Sequence, residues 1–249
     1  MVDRKKQKEH IEVGPLERKL FVYLYEVKVA MSRQIQRDVF TGYNIRSLQN
    51  RLSKLRRLNL VRRNFYEGLS SKMIYHLGVS GFNQFIRPMG ENVKRELGSR
   101  AVHHDLDLVD IRYAMQQSKR VKNYYPENVI SNGGLVSFDK DRFFVDELRP
   151  DAVVEIMGDS RTYCVALEYE HSPKYKDRYK TLITRYYNNK SIPAVLYIGK
   201  DEALTNYVRS IEQEIVGDNT PKFYYSDFSK WNESESQVFT ALRGSCITL

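Results

Sequence analysis

Leucines recur at positions 48, 52, 55 and 58 in the stretch that follows Asn44, with Ile45 at its start. That spacing draws one apolar stripe along an α-helix. The remaining faces carry Arg46, Gln49, Asn50, Arg51, Ser53, Lys54, Arg56 and Arg57. Asn44 suits the N-cap, and Asn59 tolerates the left-handed backbone that ends a helix. Leu60–Phe65 and Lys72–Leu77 then read as two strands around the turn-forming run Tyr66-Glu67-Gly68-Leu69-Ser70-Ser71, a hairpin. Two shorter helices are expected upstream. One starts at Pro15 and carries Leu16, Leu20, Phe21 and Leu24; the other follows Ser32, read as its N-cap, and turns Ile35 and Val39 inward. Gly81–Met89, with Phe82 and Phe85, is expected to close this module.

Three helices followed by a basic hairpin resemble the winged-helix superfamily, in which a run like LQNRLSKLRRLNLVRR ends the recognition helix and opens the wing. The resemblance implies a third helix lying in the major groove of double-stranded DNA and a wing on the neighbouring backbone. Arg46, Gln49 and Asn50, early on that helix, are placed to reach base edges. Lys54, Arg57, Arg62, Arg63 and Lys72 are placed as phosphate contacts, which position a protein without reading sequence. Charge agrees with a polyanion partner. Residues 1–100 hold 21 Lys and Arg against 9 Asp and Glu, and residues 101–249 hold 19 against 22. A basic front and a slightly acidic back suggest two parts with different tasks.

The remaining composition narrows the class. No run of about 18 uncharged apolar residues is present, so no membrane partner is expected. The basic start MVDRKKQKEH lacks an apolar stretch behind it, unlike a secretory signal. Two cysteines, Cys164 and Cys246, are too few for a disulfide framework or a thiolate zinc site, and a reducing cytoplasm is the expected setting. The layout is therefore α+β: a basic tail over 1–14, a winged helix-turn-helix domain over 15–89, a linker over 90–101 and a second α/β domain over 102–249.

In that second domain a helix is expected from Val102 to about Gln117, with further helices over Pro173–Asn188 and Glu202–Val216. The Ser172-Pro173 pair reads as the N-cap and first position of the former. Strands are expected at Val121–Tyr125, Arg142–Asp146, Asp151–Ile156, Thr162–Glu170 and Ala194–Ile198, forming a mixed sheet. Alternation places Tyr163, Val165, Leu167 and Tyr169 on one face and Cys164, Ala166, Glu168 and Glu170 on the other. Glu168 and Glu170 then project together, about 6.5–7 Å apart. A hairpin centred on Gly158-Asp159-Ser160 sets Asp151 opposite Glu168, where facing Cβ atoms lie about 4.5–5.5 Å apart. Three crowded carboxylates call for a positive partner, and Mg²⁺ or Mn²⁺ is the natural one.

This order of elements resembles the PD-(D/E)XK nuclease superfamily, with Pro150-Asp151 as its PD element and Glu168-Tyr169-Glu170 as its second. The third motif position, usually Lys, is Glu170 here. The resemblance implies Asp151 and Glu168 as metal ligands, with Glu170, or a lysine moved onto the next helix, acting on water. Lys180 is the first such lysine, with Lys174 and Lys176 beside it. Glu147, Asp107 and Asp110 are further acids near this place. His103 and His104 are adjacent, hence turned apart on a helix, and read as capping or packing residues. Trp231 and the segment Glu233–Leu249 show weak periodicity and receive no assignment.

Taken together, the two halves resemble the replication-relaxation family of plasmid and mobile-element proteins, on the His103-His104 helix start, Leu148-Arg149-Pro150-Asp151, Leu167-Glu168-Tyr169-Glu170 and Lys180 with Tyr186-Tyr187. That implies a part in replication or mobilisation, with a homodimer and a replication or relaxase protein as the associations to expect. Three functions stay open. They are a DNA-binding accessory with an inactive nuclease-like domain, a Mg²⁺- or Mn²⁺-dependent endonuclease, and a module that binds only protein.

Overall fold

A computed structural model describes residues 12–66, 73–90, 97–131, 148–217, 219–233 and 236–249. The chain divides into two compact units, and the division falls at residues 91–99.

The first unit opens with α1 (Pro15–Val27), whose Glu17 side chain turns back to accept the Gly14 amide at 2.9 Å. A two-residue strand β1 (Ala30–Met31) leads into α2 (Ser32–Asp38). Ser32 is the first helical residue rather than the cap. The cap is Met31, whose amide donates to Gln34 Oε1 at 2.9 Å. Gly42 takes a positive φ of 82° in the turn, and Asn44 Oδ1 then accepts from the Arg46 amide at 2.8 Å to start α3 (Ile45–Arg57). Leu48, Leu52 and Leu55 are at most 1% exposed and join Leu20, Phe21, Leu24 and Ile35 in the core. Asn59 ends the helix at φ 55°.

Two strands follow, β2 (Val61–Asn64) and β3 (Ile74–Leu77), shorter than the sequence pattern suggested. They pair antiparallel, with Arg62 opposite His76 and Arg63 opposite Tyr75, and β1 adds on the other side of β3. Gly78 is required after β3, because a Cβ there would lie 2.0 Å from the Asn59 carbonyl oxygen. A short helical segment closes the unit: α4 (Val79–Gly81), a π turn over Phe82–Ile86 and a 3₁₀ turn over Arg87–Met89. Its Phe85 meets Phe21 at 4.8 Å between ring centroids, and Phe82 meets Tyr25 at 6.0 Å.

The second unit runs α5 (Val102–Gln117), β4 (Val121–Pro126), α6 (Glu127–Ser131), β5 (Ala152–Met157), β6 (Thr162–Glu170), α7 (Lys176–Asn188), β7 (Val195–Gly199), α8 (Glu202–Val216) and β8 (Phe223–Asp227). A 3₁₀ turn over Phe228–Glu233 precedes β9 (Val238–Ala241) and β10 (Cys246–Thr248). The mixed sheet has the order β10-β9-β8-β7-β6-β5-β4. Its centre is parallel (β6, β7, β8), and its flanks are antiparallel. The β5–β6 register pairs Ala152 with Leu167 and Val153 with Ala166, the register expected of a hairpin centred on 158–160, and its last pair stands next to Asp151 and Glu168.

One core packs Ile111 and Met115 of α5 against Val165, Leu167 and Tyr169, with Trp231, Phe239 and Leu249. The opposite core packs Tyr179, Ile183 and Tyr186 of α7 and Val208 and Ile211 of α8 against Ala166, Val195 and Phe223. The C-terminal segment thus supplies two strands, and Trp231 Nε1 donates to the Ser226 hydroxyl at 2.9 Å. The expected strand at Arg142–Asp146, like Glu147 and Lys72, lies outside the described residues.

Candidate functional site

Two places carry chemistry, one in each unit. In the first, Arg46, Asn50, Ser53 and Arg57 fall at i, i+4, i+7 and i+11 along α3, on one face of the helix. Arg46, Asn50 and Arg57 are exposed, and Leu48, Leu52 and Leu55 fill the opposite side. Gln49, half-buried, and Lys54, exposed, flank the stripe. Arg51 is not part of this surface. It pairs with Glu17, a carboxylate with 0% exposure, while its own side chain keeps 42%.

On the hairpin, Arg62 is exposed and reaches Asn59 Oδ1 at 3.2 Å. Arg63 turns the other way. Its Nη1 lies 3.2 Å from Met73 Sδ and its guanidinium 5.1 Å from the centre of the Phe65 ring. Of the two arginines, Arg62 is the one presented to solvent.

The second place is where β6 ends beside the start of α5. Asp151, just ahead of β5, accepts the Tyr169 amide on Oδ2 at 2.8 Å. The same oxygen stands 3.5 Å from His104 Nε2. His104 Nδ1 faces Asp105 Oδ1 at 3.1 Å, and its Nε2 also faces the Tyr169 carbonyl at 3.2 Å. Burial opposes charge on this imidazole, but the carboxylates of Asp105 and Asp151 outweigh it and raise His104 to about 10. The histidine is therefore a cation at neutral pH, and its role is larger than the packing expected for it.

Glu168 projects onto the α7 side and accepts from the Tyr186 hydroxyl. Burial, then the charge of Asp151, push its carboxyl well above the usual range, against the effect of the Tyr186 hydrogen bond. Glu170 is buried and bound to Lys174 Nζ at 2.7 Å. Lys174 lies in the irregular stretch ahead of the next helix, and its backbone amide donates to the Tyr179 hydroxyl at 2.9 Å.

This stretch corrects the helix start. Ser172 and Pro173 precede α7, which begins at Lys176 with Tyr175 as N-cap. Lys180, expected at the acids, pairs instead with Glu214 of α8 at 3.8 Å, as Lys176 does at 2.7 Å. Asp107 accepts from the Tyr169 hydroxyl at 2.6 Å and pairs with His171 Nδ1 at 2.8 Å. Sequence reading missed His171, although its place directly after the strand of acids was a signal.

A model of the replication-relaxation family matches residues 21–188, about two thirds of the chain. The chain belongs to the replication-relaxation family. The matched span takes in most of the first unit and the acidic cluster of the second. Membership ties the chain to replication or relaxation in plasmids or mobile elements. No curated protein and no solved structure matches it. No described helix is long and apolar enough to cross a membrane.

A resident divalent cation would draw these acids into one oxygen shell shared with water; as they stand, each is turned to a partner of its own. Asp151 has the Tyr169 amide and His104, Glu168 has Tyr186, and Glu170 has Lys174. Among the described residues no three His, Cys, Asp or Glu side chains converge so as to hold a metal ion.

Proposed function

We propose that this replication-relaxation protein is a double-stranded DNA-binding accessory or regulator of plasmid or mobile-element replication or mobilisation. Its first unit acts as a winged helix, and its second as a non-cutting domain of PD-(D/E)XK descent. The observation that carries the reading is the polar stripe Arg46–Asn50–Arg57 standing opposite the buried Leu48–Leu52–Leu55. A helix held by one face and basic on the other suits insertion into the major groove. Arg46, Gln49 and Asn50 read base edges, where bidentate Arg–guanine and Asn or Gln–adenine contacts discriminate. Lys54, Arg57 and Arg62 meet phosphates, as does Lys72. Arg63 supports the hairpin by its packing on Phe65.

The second unit runs helix, antiparallel meander, helix, parallel strand, and its β5–β6 ladder runs up to the residues next to Asp151 and Glu168. Those two features favour a second reading, a metal-dependent endonuclease. The occupied carboxylates favour the first. Homodimerisation and docking of a replication or relaxase protein belong to the same proposal. One incubation separates the two readings: full-length protein with supercoiled plasmid and Mn²⁺ or Mg²⁺, alongside Asp151→Ala and EDTA controls. Retarded but intact plasmid is the expected result. Nicking that vanishes in both controls establishes the endonuclease instead.

A further inference from the structure

We propose that the second unit binds a phosphate group in the cleft between α8 and the β9–β10 hairpin, where Arg209 and Arg243 clamp it. The proposal stands apart from the DNA-binding reading of the first unit and uses none of the clustered acids.

The cleft holds about 320 Å³, at the lower end of small-ligand sites, which run from about 300 to 1,000 Å³. Asn206, Arg209, Ser210 and Gln213 line one wall, and their i, i+3, i+4, i+7 spacing sets them on one face of α8. Arg243, on the turn between β9 and β10, lines the other wall. The two arginines reach across in opposite directions. Arg209 Nη2 donates to the Ala241 carbonyl at 2.8 Å, and Arg243 Nη2 donates to the Gly217 carbonyl at 3.3 Å. The Arg209 guanidinium also lies 5.9 Å from the centre of the Tyr225 ring. Both side chains are oriented before any ligand arrives.

What orients them is uncharged. A guanidinium carries five N–H donors; each of these two gives one to a main-chain carbonyl and, among the described residues, pairs with no carboxylate. The acids of α8 are all committed elsewhere: Glu202 to Lys230, Glu212 to the Tyr187 hydroxyl, and Glu214 to Lys176 and Lys180. No described residue lining the cleft is acidic. Ser210 gives its hydroxyl hydrogen to the Tyr207 carbonyl at 2.7 Å. The carboxamides of Asn206 and Gln213 make no hydrogen bond with other described residues and add neutral donors. Two positive charges on facing walls match a phosphate monoester, which carries about −1.5 to −2 at neutral pH and three acceptor oxygens. The planar guanidinium fork suits those oxygens. A carboxylate offers a single charge and two oxygens, and so leaves one arginine unmatched.

The test is isothermal titration calorimetry of the full chain with inorganic phosphate, at low salt in a buffer free of phosphate. The proteins are the wild type, Arg209→Gln, Arg243→Gln and Lys230→Gln, and circular dichroism confirms that each is folded. Lys230 is already paired with Glu202, so its variant removes one positive charge and leaves the clamp whole. The wild type is expected to bind one phosphate with a Kd of about 1 mM or tighter. Each arginine variant should weaken binding at least about tenfold, the loss of one charge-assisted hydrogen bond. Lys230→Gln should stay within about twofold of the wild type, as an exposed pair contributes little. If Arg209→Gln, at a half-buried position, does not fold, the exposed Arg243→Gln decides alone.

A folded wild type that takes up no phosphate overturns the proposal. So does Arg243→Gln with wild-type affinity, or Lys230→Gln losing as much as Arg243→Gln. The source of the phosphate is read by fluorescence anisotropy on short single strands that differ only in a terminal phosphate or a terminal hydroxyl. A preference for the phosphorylated strand that Arg243→Gln removes supports the site and assigns it to nucleic-acid ends. Equal affinity for both strands, with phosphate uptake intact, supports it and assigns it to free phosphate or nucleotide.

Discussion

The ion pair between Glu17 and Arg51 makes an asymmetric prediction about the helix proposed to read DNA. Glu17 sits on α1 with 0% exposure, and Arg51 sits on α3 with 42%. Either Glu17→Ala or Arg51→Ala removes the same bond, but what each leaves behind differs. Glu17→Ala strands a guanidinium that reaches water, so the loss is close to one charge-assisted hydrogen bond, about 1.5–3 kcal/mol. The Gly14 amide also loses its acceptor there, which adds a fraction of a capping interaction. Arg51→Ala strands a carboxylate with no exposure. Breaking a buried pair in that direction costs about 3–5 kcal/mol.

Hydrogen–deuterium exchange of the full chain, followed by mass spectrometry on peptides from α1 and α3, reads this directly. Protection should fall roughly thirtyfold in Glu17→Ala, and about tenfold further in Arg51→Ala from the middles of the two ranges, since about 1.4 kcal/mol is a factor of ten. Equal losses, or a larger loss in Glu17→Ala, would show that burial of the carboxylate does not set the energy of this contact.

Further outcomes follow from other named groups. His104 has a folded-state value raised from 6.5 to about 10, so the stability it contributes is fully present below about pH 6.5 and is lost as pH rises through about 10. Urea midpoints of the wild type should fall across that window, and His104→Gln should remove that part of the slope. Gly78→Ala places a Cβ against the Asn59 carbonyl and should lower stability by about 1–3 kcal/mol or more, seen as a lower thermal midpoint. In a binding selection on randomised duplexes, Gln49→Ala or Asn50→Ala should relax sequence preference. Arg62→Ala should weaken every sequence alike, and identical behaviour of the two classes would misplace the recognition helix.

Much of the fold was legible because periodicity and local chemistry pointed the same way. The leucine stripe with Asn44 and Asn59 located α3 to within a residue, and Asn59 does adopt the left-handed backbone. The turn at 158–160 fixed the β5–β6 register, and with it the approach of Asp151 to Glu168. What escaped the sequence depended on contacts made at long range. Arg51 was indistinguishable from its exposed neighbours until α1 brought a buried carboxylate to it. Ser172-Pro173 carries a helix-start signal, yet α7 begins only at Lys176, after Lys174 has met Glu170 and the Tyr179 hydroxyl.

His104 read as packing because adjacency to His103 was judged against a shared metal. Its actual partners are Asp105 on its own helix, Asp151 just ahead of β5 and Tyr169 on β6, both far along the chain. The resemblance alone put Lys180 at the acids, and α8 offers it Glu214 instead. The C-terminal strands lacked a periodic signal because each is short, four and three residues.

The measurement closest to the central claim is duplex affinity as a function of salt. Fluorescence anisotropy of the full chain on a labelled duplex, from about 50 to 200 mM salt, compares wild type with Lys54→Ala/Arg57→Ala. The account predicts measurable binding by the wild type, with a slope of log affinity on log salt that becomes shallower by about 1.8 in the double variant, about 0.9 for each phosphate contact removed. A wild type without duplex affinity at the lowest salt, or a double variant with unchanged affinity and slope, would contradict it.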